Sequence, residues 1–346
     1  MGAEPPRRVL FLAPSYHPRA GGEEKQVRCV TRELTNLGLE ARIAAPRWQE
    51  DWPESEIVDG VQVLRLHPRA AQGRRQLAPL VERADIVHTH DAYPFLKYYL
   101  PFRLRRPRLP AYVTLHGYEA YPIPTEAKVL RRLVLWLTKG SLCAGTFIPK
   151  WYGFRCAHIT HGGVDAPPQR PPLGEGAVFV GRLEPDTGFV AYLKALRTLK
   201  QDHGISLPLT VCGDGSLRLQ GEHIAASADL AVTFLGRVPD PMPYLTGARY
   251  ALTSGLLSML EAMAAGTLVF ALYDNPLKED YLRLFPGAEH AVIAGSPAGL
   301  AEGLLRLHGS PDLAEQQAEG AYGFARTQTW ERVARLYLDL WGVAAP

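Results

Sequence analysis

Short apolar runs alternate with helix-like stretches along the whole chain, and this alternation limits the possible folds more than any other feature. In the first half the runs are VLFLAP, ARIAAP, VQVLRL, DIVHTH and AYVTLHG, separated by stretches such as EEKQVRCVTRELTNLG. Strands that alternate with helices imply βαβ units and a parallel sheet. The segment DAPPQRPPLGEG, residues 165 to 176, is rich in proline and glycine and reads as a linker. Alternation then restarts with AVFVGRL, LPLTVCGDG, AVTFLGRV, RYALTSG, TLVFALYD and HAVIAG, with helices that include VAYLKALRTLKQ and PAGLAEGLLRLHG. A chain of 346 residues is long enough for two domains with separate cores, so the expected class is α/β with two doubly wound sheets.

Several function classes drop out on composition. No apolar run approaches the roughly 18 residues needed to span a bilayer. MGAEPPRR runs directly into VLFLAP without a signal-cleavage pattern, so a cytosolic chain is expected. Cys29, Cys143, Cys156 and Cys212 have neither metal-type spacing nor a disulfide framework, which fits core positions in a reducing compartment. Net charge is +3, but up to Pro172 there are 25 Lys+Arg against 16 Asp+Glu, and beyond it 13 against 19. A basic half can meet nucleic acid, anionic lipid or an anionic substrate, or simply be an uneven surface. Nucleic acid is disfavoured, because there are no aromatic-interleaved basic strands and no paired Cys/His finger spacing.

Ligands of doubly wound sheets bind beyond the carboxyl ends of the strands, so the loops there carry the candidate residues. After the first strand, SYHPRAGGEEKQV sets Gly21 and Gly22 before Glu24 and a helix, a loop that backbone flexibility opens to close approach. VHTHD puts His88 and His90 on one strand face, and VTLHGYE places His116 beside Gly117 and Glu119. A metal reading would use His88, His90 and Asp91, but no further ligand stands at recognisable spacing. In the second half, Arg182 lies at one strand end, Gly213, Asp214 and Gly215 at the next, and Thr253, Ser254 and Gly255 open the helix-like run LLSMLEAMAAG. An arginine, glycine backbone and a helix N-terminus at parallel strand ends are what a diphosphate requires. Glu261, two turns into that helix, either faces water or sits behind the anion site as a hydroxyl acceptor; periodicity leaves both open.

In the order AGGEEKQV, DIVHTHD, VTLHG, THGGVD, VFVGRLEPDTG, LTVCGDGSLR, VTFLGRV, LLSMLEAMAAG and TWERVARLYLDLW, the sequence resembles the retaining GT-B glycosyltransferases, in particular glycosyltransferase family 4. The resemblance implies two Rossmann-like domains facing a cleft: residues 1–168 with a returning helix in 328–346 on the acceptor side, and 169–327 on the nucleotide-sugar side. It implies donor contacts from Arg182, Glu261, Gly213, Gly215, Ser254, Gly255, Leu256, Leu257 and Lys278. It further implies a phosphate or acceptor loop at Gly21, Gly22 and Glu24, and a catalytic His116 near the reacting carbon. Expected partners are a nucleotide sugar and a saccharide or lipid-linked acceptor in glycan, glycolipid or cell-envelope synthesis. With no Asp-x-Asp in the chain, no metal and no cofactor is expected. Two positions depart from the family: Thr253 stands where a second carboxylate is usual and Thr187 where a lysine is, with Lys278 as a substitute cation. A catalytically silent binding or scaffolding protein is the alternative. Finally, AKVLRRLVLWLTKG and FRLRRPRLP combine arginine and lysine with apolar residues, which suggests peripheral contact with the inner face of an anionic membrane, although a buried helix would also explain AKVLRRLVLWLTKG.

Overall fold

The computed structural model describes residues 8–19 and 21–344, and the N-terminal stretch MGAEPPR, on which the leader expectation rests in part, lies outside them. The chain divides into two compact units, Met1–Gly162 with Trp330–Pro346, and Gly163–Thr329. Each has its own sheet.

Among the described residues the first unit carries an eight-stranded sheet in the order β3-β4-β2-β1-β5-β6-β7-β8. The strands are β1 (Arg8–Leu12), β2 (Glu40–Pro46), β3 (Ser55–Val58), β4 (Val61–Leu66), β5 (Ile86–His90), β6 (Ala111–Leu115), β7 (Gly140–Ala144) and β8 (His158–Thr160). All neighbours are parallel except β3 and β4. β5 and β6 are buried along their full length, as strands covered by helices on both faces must be. The second unit has six parallel strands in the order β11-β10-β9-β12-β13-β14. They are β9 (Ala177–Val180), β10 (Leu209–Cys212), β11 (Val232–Gly236), β12 (Tyr250–Leu252), β13 (Leu268–Leu272) and β14 (Ala291–Ala294). One apolar cluster packs each face of this sheet, around Phe179, Tyr192, Leu196 and Phe270 on one side and Met259, Leu260, Met263 and Val269 on the other.

The proline-rich stretch is not a free linker. It lies inside the second unit, where Gly174 N–H donates to Ala248 O (3.3 Å), Glu175 N–H to Gly247 O (3.1 Å) and the Tyr322 hydroxyl to Pro167 O (2.6 Å). Proline lacks an N–H, but its carbonyl still accepts, so such a segment can be fastened to a domain edge. The terminal helix, Trp330–Trp341, belongs to the first unit and lies on the helix Gly22–Asn36 and strands β7 and β8.

Each sheet reverses its strand order once. In the first unit the reversal lies between β1 and β5, and in the second between β9 and β12. These switch points are where crevices open in doubly wound sheets.

Candidate active site

In the second unit the reversal brings the loop after β9 against the loop after β12. Pairing of Leu252 with Phe179 sets Thr253 beside Val180, and the Thr253 hydroxyl donates to Val180 O at 2.9 Å while sharing a 2.6 Å hydrogen bond with Ser258 Oγ. Thr253 is thus a strand-to-strand tie, and no carboxylate stands at that position. Ser254 is turned inward, its hydroxyl engaged by Tyr192 OH (2.6 Å) and by the Leu272 N–H and carbonyl (3.1 and 3.0 Å). Its side chain shapes the turn, and what remains for a ligand at this position is the backbone N–H at the helix opening.

Gly255 caps the helix Leu256–Ala264, whose first internal bond runs from Met259 N–H to Gly255 O at 2.8 Å. The N–H groups before it lack intrahelical acceptors. Leu256 N–H is nevertheless taken by Tyr281 OH at 3.0 Å, so the expected Leu256 contact is already occupied and the helix offers Leu257 and Ser258 instead. Glu261 is buried at 6% exposure among Met259, Leu260 and Met263. The water-facing alternative for this acid is excluded.

Two cations meet this terminus. Arg182 extends from the loop after β9 and is largely exposed, held by Asp186 Oδ2 at 2.7 Å. An exposed pair of this kind contributes about 0–1 kcal/mol, so a doubly charged ligand can displace Asp186. Lys278, from the helix Pro276–Arg283, is buried, with Nζ donating to Ser254 O at 2.7 Å and lying 4.4 Å from the centre of the Tyr281 ring. Burial pulls its pKa down to about 8, with Arg182 adding and Asp186 and Asp274 opposing. Thr187 closes a turn through its hydroxyl to Glu184 O at 2.7 Å and supplies no charge. Gly213 and Gly215 are explained by packing: a Cβ on Gly213 would collide with Gly181 O, and one on Gly215 would lie 2.5 Å from Leu183 O. Backbone proximity accounts for both glycines without a ligand.

In the first unit the reversal places Gly21, Glu23, His90, Asp91 and His116 together. Gly21 is the extended residue before the helix Gly22–Asn36, and the Glu24 carboxylate folds back over it where a Cβ would stand. His90 pairs with Thr114 across β5 and β6, so His116 follows just beyond, with His90 Nδ1 2.8 Å from His116 Nε2. Asp91 has a positive φ (59°, with ψ 171°), a backbone region that glycine alone adopts readily, and its Oδ1 accepts from His116 N–H at 2.8 Å. Arg131 grips the same loop, donating to His116 O (2.8 Å), Gly117 O (3.2 Å) and Glu119 Oε1 (3.0 Å). Burial, reinforced by Arg131, pulls the His116 pKa down to about 3, so its imidazole is neutral at physiological pH. Burial raises Asp91 to about 6 against the pull of Arg131 and the His116 N–H.

The trio His88, His90 and Asp91 is not arranged as a metal centre. His88 accepts from Trp341 Nε1–H at 3.0 Å through Nδ1 and meets Thr114 Oγ1 at 2.7 Å through Nε2, so both nitrogens are engaged. Arg131 and Glu23 were missed in the sequence, because nothing in their spacing signals that helices 125–137 and 22–36 bring them to the strand ends. On the helix Thr125–Leu137 the burial pattern is informative as well. Arg131 and Val134 face inward, while Val129, Leu133 and Trp136, at helical spacing, face outward, with Trp136 80% exposed. The buried-helix explanation therefore holds for Val134 and partly for Leu130, and fails for Val129, Leu133 and Trp136. Lys128, Arg132 and Lys139 lie along the same helix and its end, and Arg103 ties the neighbouring helix Leu100–Arg105 to it through Leu137 O at 2.7 Å.

Residues 20–148 match the family described as Glycosyltransferase Family 4, and residues 170–324 match Glycosyl transferases group 1. No curated protein matches the sequence as a relative. Among solved structures, sucrose-phosphate synthase from Thermosynechococcus elongatus aligns with a TM-score of 0.73 at 18% identity, over 97% of this chain and 100% of its own. Anabaena HepE in complex with UDP-glucose aligns at 0.73 and 14% identity, over 96% and 99% of the two chains. A glycosyltransferase from Rickettsia africae aligns at 0.70 and 14%, over 97% and 98%. At such identities the likeness is one of fold. Two parallel α/β units in this strand order, matched in turn by two glycosyltransferase families that together span most of the chain, make it a member of the GT-B glycosyltransferases.

Proposed function

We propose that the chain is a retaining glycosyltransferase that moves a sugar from a nucleoside diphosphate sugar to a hydroxyl of a saccharide or lipid-linked acceptor. The observation that carries this reading is the switch point of the second unit, where Arg182, Lys278 and the first turn of the Leu256–Ala264 helix gather at one strand junction. Two cations and open N–H groups match a diphosphate in both charge and donors. The similar fold of HepE, seen with UDP-glucose, supports the same ligand class. Glu261 serves the ribose hydroxyls from behind. In the first unit, the Glu24 carboxylate folds over Gly21 in the turn it shares with Glu23, so that loop suits acceptor hydroxyls rather than phosphate, which the Glu24 carboxylate would repel.

His116 acts at the sugar as a neutral hydrogen-bonding group, since an imidazole held at a pKa of about 3 is a poor base at neutral pH. The departing phosphate takes the acceptor proton, and attack on the same face retains configuration. Charge developing on the leaving diphosphate is met by Arg182, Lys278 and backbone N–H groups, so turnover is expected to persist in EDTA. Calorimetry with nucleoside diphosphates tests the site. Arg182→Ala is expected to bind at least about tenfold more weakly, the loss of one charged hydrogen bond, and Thr187→Lys as well as wild type or slightly better. Unchanged affinity of Arg182→Ala would refute the assignment, and a product of inverted anomeric configuration by NMR would refute retention. The silent-protein alternative requires that no nucleotide sugar be turned over.

The acceptor is proposed to be reached from an anionic membrane. The outward stripe of Val129, Leu133 and Trp136 with Lys128, Arg132 and Lys139 has the chemistry of an interfacial helix. Sedimentation with anionic vesicles should exceed that with neutral ones and fall in Trp136→Ser/Leu133→Ser. Equal binding to both vesicles would remove the membrane from this reading.

A further inference from the structure

Glu23 has no part in the reading above except as one of two acids in a turn, yet its surroundings are unusual. A carboxylate oxygen of Glu23 and a ring nitrogen of each of His90 and His116 lie within 4.8 Å of one another. His90 Nδ1 and His116 Nε2 are already 2.8 Å apart. On the far side of His90, Nε2 is buried without a hydrogen-bond partner, and so is Glu23 Oε1. Buried polar atoms are rarely left unpaired, and here two members of one cluster, His90 and Glu23, each carry one.

We propose that Glu23 is a positioning residue for His116, acting through His90: the carboxyl group and the two imidazoles form a directed hydrogen-bonded line that decides which nitrogen of His116 carries the proton. The line closes when the Glu23 side chain turns its carboxyl group to His90 Nε2. Glu23 O–H then donates to His90 Nε2, His90 Nδ1–H donates to His116 Nε2, and His116 is left with its proton on Nδ1, the nitrogen free to donate to substrate. With an ionised Glu23 the line reverses. His90 Nε2–H donates to the carboxylate, His116 Nε2–H donates to His90 Nδ1, and His116 Nδ1 becomes a lone pair.

The surroundings favour the first direction. Burial pushes Glu23 well above the ordinary carboxylate range, Asp91 and Glu24 push it further, and only Arg131 opposes. Burial keeps His90 and His116 neutral. The groups that face this line from the packed elements are Glu24 on the same helix, Asp91 after β5, His88 within β5, Arg131 on the Thr125–Leu137 helix and Tyr337 on the terminal helix. Tyr337 OH accepts from both Thr114 and Gln26, so these two neighbours already have partners.

This inference rests on the reading of His116 as the group that meets the sugar, and its test separates the two. NMR of protein carrying 15N-histidine reads the His116 tautomer directly, without turnover. The expected result is an Nδ1–H tautomer in the wild type and in Glu23→Gln, whose amide can donate in the same direction, and a changed or mixed tautomer in Glu23→Leu. Raising the pH should switch the wild-type His116 signal and leave that of Glu23→Gln unmoved, a comparison that stands even where Glu23→Leu fails to fold. In turnover, Glu23→Gln should keep kcat and Glu23→Leu should lose about a hundred- to a thousandfold in kcat, on the scale of one lost donor, with donor KM unchanged. A His116 tautomer that is the same in Glu23→Leu as in wild type, or that switches with pH equally in Glu23→Gln, overturns the proposal. A tautomer that responds as expected while His116→Ala retains full kcat would instead uphold the line and refute the catalytic reading of His116.

Discussion

Lys278 is the residue at which sequence and structure inform each other most directly. Its place in YDNPLKEDY suggests only a nearby cation, whereas the fold buries it and aims its ammonium at Ser254 O, beside the helix terminus. With its pKa drawn down to about 8, the charged form is present below that pH and is lost above it. A bound diphosphate favours the ammonium, so nucleoside diphosphate affinity should fall as pH rises through about 8. Lys278→Met should bind about 1.5–3 kcal/mol more weakly at pH 7, the scale of one charged hydrogen bond, and should lack that inflection. Calorimetry from pH 7 to 9 on both proteins is the check. Glu261 offers a second residue-scale test. It is buried on the helix that Gly255 caps, the placement from which the proposed ribose contact is argued. Glu261→Ala should weaken donor binding while leaving a folded protein by circular dichroism, and unchanged affinity in that variant would remove Glu261 from the ribose site.

At the scale of elements, the terminal helix is joined to the first unit by a polar chain rather than by apolar contact alone. Trp341 Nε1–H donates to His88 Nδ1, His88 Nε2 meets Thr114 Oγ1, and Thr114 and Gln26 both donate to Tyr337 OH, at 3.0, 2.7, 3.1 and 3.2 Å. Every one of these groups is buried. Tyr337→Phe would leave two donors without an acceptor and should cost about 1–3 kcal/mol, read as a lower urea midpoint. The apolar runs quoted above correspond to eleven of the strands, most of them covered on both faces and therefore apolar along their length. The unread ones were β3, β7 and β8. β3 is an edge strand of sequence SEIV with one buried residue, β7 reads GSLCA and β8 has three residues, HIT, so none presents an apolar run long enough to stand out.

For the whole molecule, ligand binding should report which unit holds the donor. A nucleoside diphosphate at 100 times its Kd stabilises the state that binds it by about 2.7 kcal/mol. Hydrogen exchange should then show protection centred on residues 181–188 and 253–258 of the second unit, with the β1 and β5 loops of the first unit unchanged. Protection appearing first at Gly21 and Gly22 would move the phosphate site to the first unit. What the sequence alone determined is the alternation of strands and helices, hence two parallel sheets, and the residue types gathered at the strand ends of the proposed diphosphate site. Both are properties of short segments, in which burial pattern and turn chemistry are written locally. What only the tertiary structure decided is which of those residues are still open to a ligand. The Ser254 hydroxyl is taken by Tyr192 and Leu272 and the Leu256 N–H by Tyr281, Gly213 and Gly215 make room for neighbouring backbone, and Lys278, Arg131 and Glu23 arrive from distant helices. Hydrogen-bond capacity is finite, and long-range packing determines whether a neighbour or a ligand uses it.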